Sequence, residues 1–589
     1  MVHAAWTAVR VALIWAAFHG TGLLVTKLVP ARRRGDRFFP AVVPGMLAHV
    51  FLTLPLSLFG ILTRWFLSIL IIPAASVGML DILRKLRRNP PRIPSPFRLF
   101  IPAAFLLSVL FLSLLFHAAL PHGMVDPLIT YAVQPDRWLD AGRMHILDET
   151  IFSFFPSVGE MLATWPAALS DGRLDQLSIL QVFQVSMLAA SFLLAARSFR
   201  LGWMGYMSLL LLGLSSPILS KWGSFAKVDM TAVFFTTAFF SYVFEKWALE
   251  GKKIVNEPMA WFLLGVAIGV KWTVLLTVAA LVPVLVAGFV SGERSGVFRG
   301  LLLASAVPLV FVLRNLLVTG EPFYPFHLPP FTADAAWRIE TVPALDALRQ
   351  HGHASPAENL KDLFLQWGLT ASVFIAGVPV LFRRSRMRAA VVLAGILLYA
   401  LVCSVVFDPV SWGGKYTLLL LPVMAALGFH CLSSRKEIIL AVLIPLVLLT
   451  SSFPGRLRFI VDFVSASEPA GFRDVDFPPA LPLHEWTNAN LPPGTRLLSL
   501  WRPERYFSDH EVLVLQNHPD GVELLFDDGV EDELKVLRRM KIDYVYFCAD
   551  DPMPGDLEKK VALLSAVGEG GPLEPVVQVS GYLLCKVNR

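Results

Sequence analysis

The sequence predicts an α-helical polytopic membrane bundle of about 14 transmembrane helices with a small extracytoplasmic α/β domain at its C-terminal end. Three observations carry that expectation. Hydrophobic residues make up 55% of the 589 and charged residues only 16%, where a soluble chain carries about 25% charged residues. The shortfall of charge lies upstream of residue 455, and the remainder of the chain has an ordinary globular composition. The basic loops between the apolar runs also alternate regularly along the chain. The mean hydropathy of +0.61 agrees.

A helix needs about 20 apolar residues to cross the hydrocarbon. Candidate spans run at 6–28, 39–60, 62–82, 99–119, 179–195, 203–219, 229–245, 258–271, 272–290, 300–317, 363–381, 389–407, 416–432 and 437–454. The pair flanking Lys271 reads equally as one long helix or two short ones. The first run is long, lacks a small-residue cleavage site and reads as a retained helix.

Basic residues orient the set. Arg32, Arg33, Arg34 and Arg37 follow the first span, and Arg84, Lys85, Arg87 and Arg88 the third. Arg197 and Arg200 follow the fifth, Lys246, Lys252 and Lys253 the seventh, and Arg294 and Arg299 the ninth. Arg383, Arg384, Arg386 and Arg388 follow the eleventh, and Arg435 and Lys436 the thirteenth. Every basic loop follows an odd-numbered span, so the positive-inside rule puts them all in the cytoplasm. The net charge of +6 is then a topology signal and does not point to nucleic acid. The same path puts the loops 120–178 and 318–362 and the segment 455–589 together on the outer face.

In that last segment the spacing predicts a helix over 482–491, a strand over 495–501, a helix then a strand in LKVLRRMKIDYVYFCAD, and a closing β pair in PVVQVSGYLLCKVN. Cys403 and Cys431 read as small core residues. Cys548 and Cys585 fall on strand-like segments, where an extracytoplasmic domain admits a disulfide but nothing in the spacing fixes their distance.

The loop at 120–178 is the most informative stretch: it carries Asp126 just past a span, then Tyr131, Arg137, Arg143, Asp148, Glu149 and Glu160. Residues 127–143 have the spacing of a helix lying in the interface. Asp229, Lys271, Arg314 with Asn315, and Lys415 with Tyr416 sit at or near the same surface. Ionisable groups at membrane depth are costly and face a cavity or a partner; snorkelling toward the interface is the plainer alternative for each taken singly. His122, His145, His327, His351 and His353 share the outer side without a metal-ligand spacing.

Several blocks, in order, resemble the GT-C superfamily of integral-membrane glycosyltransferases, of the protein O-mannosyltransferase and aminoarabinose transferase type and its uncharacterised bacterial branch. They are Asp126 with Tyr131, DRWLDAGR, the Phe155–Pro156 pair in FSFFPSVGEML, Asp229, GVKWT, RNLLVTGEPFYPF and KYTLLLLP. Their order runs across about 300 residues, from Asp126 to Pro422. Lys415 stands where an Arg is more usual, and Pro127 removes the two-acid signature of the mannosyltransferases. The first-loop acid follows the fourth span here, and the first in the superfamily. The resemblance therefore divides the chain into additional N-terminal helices over 1–98, a GT-C-like core over 99–454 and the α/β domain over 455–589.

The resemblance implies inverting transfer of a sugar from a polyprenyl-phosphate donor to a lipid, glycan or protein acceptor, in what would be a bacterial inner membrane. It implies Asp126 as base, Asp229 or Glu149 on the sugar, and Lys271, Arg314, Lys415, Tyr324 and Tyr416 around the leaving phosphate. Mg²⁺ or Mn²⁺ on an acidic pair, as in some relatives, stays open, and no metal ligand set is assigned. The rival reading is a polytopic transporter or flippase of a glycolipid precursor, whose inverted repeats are not visible. A non-catalytic scaffold of the envelope is a third.

Overall fold

The computed structural model describes residues 2–28, 38–88, 97–120, 131–147, 150–216, 225–250, 258–324, 355–406, 417–432, 435–449, 452–465, 480–500, 505–515, 529–548 and 562–588. Four helices come first: α1 (Val2–Leu28), α2 (Phe38–Leu58), α3 (Arg64–Arg88) and α4 (Phe97–Ala119). Two short ones come next, α5 (Val133–Ala141) and α6 (Val158–Ala167). Then come α7 (Arg173–Ser198), α8 (Trp203–Ser215), α9 (Asp229–Val243), α10 (Pro258–Val270), α11 (Val278–Val290) and α12 (Arg294–Thr319). The bundle closes with α13 (Pro356–Arg384), α14 (Arg386–Val406), α15 (Leu421–Cys431), α16 (Lys436–Leu449) and α17 (Ser452–Ser465).

Each expected span has a helical counterpart. Among the described residues nine helical segments are long and apolar enough to cross a membrane, and α8, α10, the 417–431 segment and α16 are shorter apolar helices. α9 continues through a π-helical turn, Phe244–Leu249. Large apolar side chains stay exposed on the bundle's outside, Leu317 at 85%, Val290 at 80% and Trp65 at 73%. In water such a surface would be a liability; against lipid it costs nothing, and helices satisfy their own backbone groups there.

The three leading helices pack through small residues. A Cβ on Gly20 would sit 1.9 Å from the Ala74 carbonyl oxygen, and one on Gly78 1.9 Å from that of Ala16, so α1 and α3 touch backbone to backbone. Two ion pairs, one buried and one partly buried, fasten this group to the rest. Arg10 grips Asp175 of α7 with both terminal nitrogens, at 2.5 and 2.7 Å. Arg64 of α3 pairs with Asp136 of α5, which also receives Arg173 Nε at 3.3 Å. α5, the described part of the expected 127–143 helix, is packed into protein and does not lie in the interface: Gln134, Asp136 and Trp138 are all buried. It ends at Gly142, whose φ of 68° is the left-handed cap that glycine supplies cheaply.

The C-terminal segment carries α18 (Leu481–Asn490), β1 (Arg496–Ser499), β2 (Glu511–Val514), α19 (Val530–Arg539), β3 (Tyr544–Cys548), β4 (Leu573–Val579) and β5 (Tyr582–Val587). The sheet order is β2-β1-β3-β5-β4. β1 runs parallel to β2 and β3, and β5 antiparallel to β3 and β4. Leu534 and Leu537 of α19 cover one face, with Leu498 and Val545. Leu483 of α18 covers the other, with Leu497 and Tyr546. A sheet with a parallel half needs both covers. The β4–β5 hairpin turns on Ser580 and Gly581, both at positive φ, as a two-residue type I′ loop requires. The helix, strand and closing-pair expectations match α18, β1, α19–β3 and β4–β5; β2 is not among the expected elements. Cys548 faces Tyr582 and Cys585 faces Val545 across the ladder, and neither thiol is in a disulfide.

The connection between β1 and β2 docks this sheet on the bundle. Tyr506 Oη donates to the Arg173 carbonyl at 2.9 Å, Arg173 Nη1 reaches Asp509 at 2.9 Å, and Arg137 Nη2 reaches the Ser508 carbonyl at 3.3 Å.

Candidate active site

The helix that starts at Pro258 stops at Val270. Lys271 is extended (φ −160°, ψ 128°), and a 3₁₀ turn over Trp272–Thr277 leads into α11. Of the two readings of this stretch, the two-helix one holds. A strongly hydrated ammonium in the middle of an apolar run is accommodated by breaking the helix and directing the side chain to a partner. Non-helical backbone at membrane depth is tolerated only where protein or a cavity covers it.

The partner is Asp229, the first residue of α9, whose Oδ1 accepts from Lys271 Nζ at 2.6 Å. Their side chains are 5% and 12% exposed respectively. A carboxylate at a helix N-terminus is favoured by the helix dipole. α9 is held in register with α7 by Gln184, which donates to Thr231 Oγ1 and accepts from the Thr231 N–H, both at 3.2 Å. The ring of Tyr131 lies 5.5 Å from Lys271 Nζ, within cation–π range.

A second cluster forms around the end of α12. Arg314 Nη2 donates to the carbonyls of Phe154 and Phe155 at 2.5 and 3.2 Å, and to Asn315 Oδ1 at 2.9 Å. Asn315 Nδ2 donates to the Phe154 and Tyr324 carbonyls at 3.0 and 3.3 Å. α12 ends at Gly320 (φ 78°), and Thr319 Oγ1 donates to the Asn315 carbonyl at 2.8 Å. This folds the chain back so that the buried Tyr324 ring meets Phe154 edge-on at 4.9 Å. The Arg-Asn…Thr-Gly…Tyr block is therefore a device that clamps the Phe154–Phe155 loop. Much of the Arg314 guanidinium is committed to carbonyls, and its Nη1 donates to no described residue.

Between the clusters lies Glu160, in the first turn of α6 and 3% exposed. Burial pushes its carboxyl up to about 8, against the opposing pull of Lys271 and Arg314. Its Oε2 has no hydrogen-bond partner among the described residues. Gly159 brings α6 this close: a Cβ there would lie 2.5 Å from Val228 Cγ1 and 3.2 Å from Val270 Cγ1, the residues that precede Asp229 and Lys271.

Of the residues singled out from sequence, Asp229 and Lys271 are in contact. Arg314 and Tyr324 share the neighbouring cluster. Asp126, Glu149, Lys415 and Tyr416, with Asp148, His122, His327, His351 and His353, lie outside the described residues. Glu160 carries no assigned role in the sequence reading. The available signal is a lone acid in the apolar helix after the Phe-Pro pair. Among the described residues no three His, Cys, Asp or Glu side chains converge as a metal set.

Bundle, broken helix and sheet-bearing C-terminal segment together make an integral-membrane fold of the GT-C type. The chain is similar, in particular, to the crystal structure of ArnT from Cupriavidus metallidurans bound to undecaprenyl phosphate, with a TM-score of 0.51 at 13% identity over 84% of this chain and 98% of that one. A family profile described as a domain of unknown function (DUF8201) matches residues 173–354, the stretch that carries Asp229, Lys271, Arg314 and Tyr324. No curated protein matches the chain.

Proposed function

We propose that the chain is a membrane glycosyltransferase that moves a sugar from a polyprenyl-phosphate-linked donor to an acceptor on the outer face of a bacterial inner membrane, where the α/β domain also lies. The observation that carries the reading is Lys271, a largely buried cation at a helix break, held by Asp229. The ArnT fold, recorded for that protein with undecaprenyl phosphate, supports it.

In the proposed reaction the acceptor oxygen forms a bond to the anomeric carbon on the face opposite the phosphate, and the anomeric carbon–oxygen bond to phosphate breaks. The acceptor proton passes to the Asp126 carboxylate as general base. The electron pair leaves on the polyprenyl phosphate, whose growing charge Lys271 stabilises in a site sheltered from water. Lys415 and Tyr416 stand beside it in this reading, and Glu149 with Asp229 orients the sugar. Tyr324 shapes the wall, and Arg314 contributes by fixing the Phe154–Phe155 loop and by presenting Nη1. Asp126, Glu149, Lys415 and Tyr416 fall outside the described residues.

The test is an assay of isotope-labelled polyprenyl-phosphate sugar in membranes with Asp126→Asn. Loss of transfer in correctly inserted protein is expected. Full activity removes Asp126 from the mechanism.

A further inference from the structure

A cleft of 330 Å³ opens where the loop after α5 meets the segment leading into β2, lined by Arg137, His145, Leu147, Asp509, His510 and Glu511. That volume is at the lower end of ligand pockets, about 300–1,000 Å³. Its walls come from two parts of the chain joined by the Arg137–Ser508 and Arg173–Asp509 contacts, so it is a built junction.

His510 is 5% exposed, and its Nε2 lies 3.0 Å from the Thr487 carbonyl. A carbonyl only accepts, so Nε2 carries a hydrogen. Its Nδ1 is closed off from solvent with no partner among the described residues, so the acceptors that the cleft itself presents are the carboxylates. The two acids lining the cleft are already committed, Asp509 to Arg173 and Glu511 to Arg496. Their second lone pairs still accept hydrogen bonds. Arg137 supplies donors from the other part of the chain.

Acceptors beside a guanidinium suit a ligand whose groups both donate and accept, which means hydroxyls. Two carboxylates disfavour an anion. The arginines already paired with those carboxylates disfavour a metal cation in their place. The charged lining disfavours an acyl chain. The far wall also leads directly to the candidate active site: the Leu147 N–H donates to Ser153 Oγ at 2.8 Å, and Phe154 next to it receives Arg314.

We propose that this cleft binds a neutral, hydroxyl-rich saccharide portion of the acceptor; its assignment to the acceptor rests on the transferase reading, while saccharide binding itself does not.

Saturation-transfer NMR on the full chain in nanodiscs tests it, with maltopentaose, chitopentaose and, as the anionic contrast, a hyaluronan hexasaccharide. Wild type is expected to bind at least one neutral probe. Asp509→Ala and Arg137→Ala, one from each part of the chain that lines the cleft, should each weaken that binding about tenfold, the scale of one hydrogen bond to a charged group. Unchanged thermal unfolding of at least one variant shows that the loss is local. No binding of either neutral probe, binding only of the hyaluronan fragment, or binding that survives both substitutions overturns the proposal. Failure of wild type to transfer sugar from a polyprenyl-phosphate donor, with saccharide binding intact, overturns the transferase reading and leaves the cleft standing.

Discussion

Lys271 Nζ and Asp229 Oδ1 lie 2.6 Å apart, although 42 residues separate them and each sits at a helix end inside the bundle. A buried pair of this kind is costly to break from one side, because the remaining charge has no water. Lys271→Met alone and Asp229→Asn alone should each lower stability by about 3–5 kcal/mol. The Lys271→Met/Asp229→Asn double variant should recover most of it and still lack transfer. Thermal unfolding in detergent, run beside the transfer assay, separates the two effects.

Glu160 gives the pH dependence a sign. Its carboxyl is raised from 4.5 to about 8 by burial in the folded chain. Between those values the unfolded chain releases a proton that the folded chain keeps, so stability falls as pH rises from about 4.5 to about 8 and the contribution levels off above that. Glu160→Gln should flatten this slope. Unfolding temperatures at pH 5, 6.5 and 8 read it, and an unaltered slope in the variant would assign the effect elsewhere.

Gly159 is the spacer that admits α6. Gly159→Ala places a methyl 2.5 Å from Val228 Cγ1. Overpacking of this sort costs about 1–3 kcal/mol. Val228→Ala in the same chain should return most of the loss, which the midpoint of thermal unfolding measures directly.

Arg314 spans two carbonyls and Asn315 with one planar fork. Lysine carries the same charge without that geometry. Arg314→Lys should therefore loosen the Phe154–Phe155 loop, seen as faster amide exchange over 150–157. It should also lower transfer by as much as ~10²-fold, the penalty for a misplaced catalytic wall.

The bundle was legible because its signals are local. An apolar run and a basic loop announce a span and its direction within about 25 residues. The break at Lys271 was half legible: a charge inside an apolar run left one helix or two open, and only the contact with Asp229 decided it. β2 escaped because EVLV is four residues long and lies between segments without periodicity. Glu160 escaped for a deeper reason. Its environment is set by Lys271 and Arg314, distant in sequence, and by the Gly159 contact with Val228 and Val270. The same holds for Arg10 with Asp175 and Arg64 with Asp136, which join the leading helices to the rest across long stretches of chain.

The central claim is that Lys271, held by Asp229, serves a polyprenyl-phosphate sugar donor. Purified protein in proteoliposomes, given a labelled polyprenyl-phosphate sugar and a membrane extract as acceptor source, tests it most directly. The expected result is transfer of label by wild type, abolished in a correctly folded Lys271→Met/Asp229→Asn double variant. Undiminished transfer in that double variant, or movement of solute across the vesicle without any transfer by wild type, would contradict it.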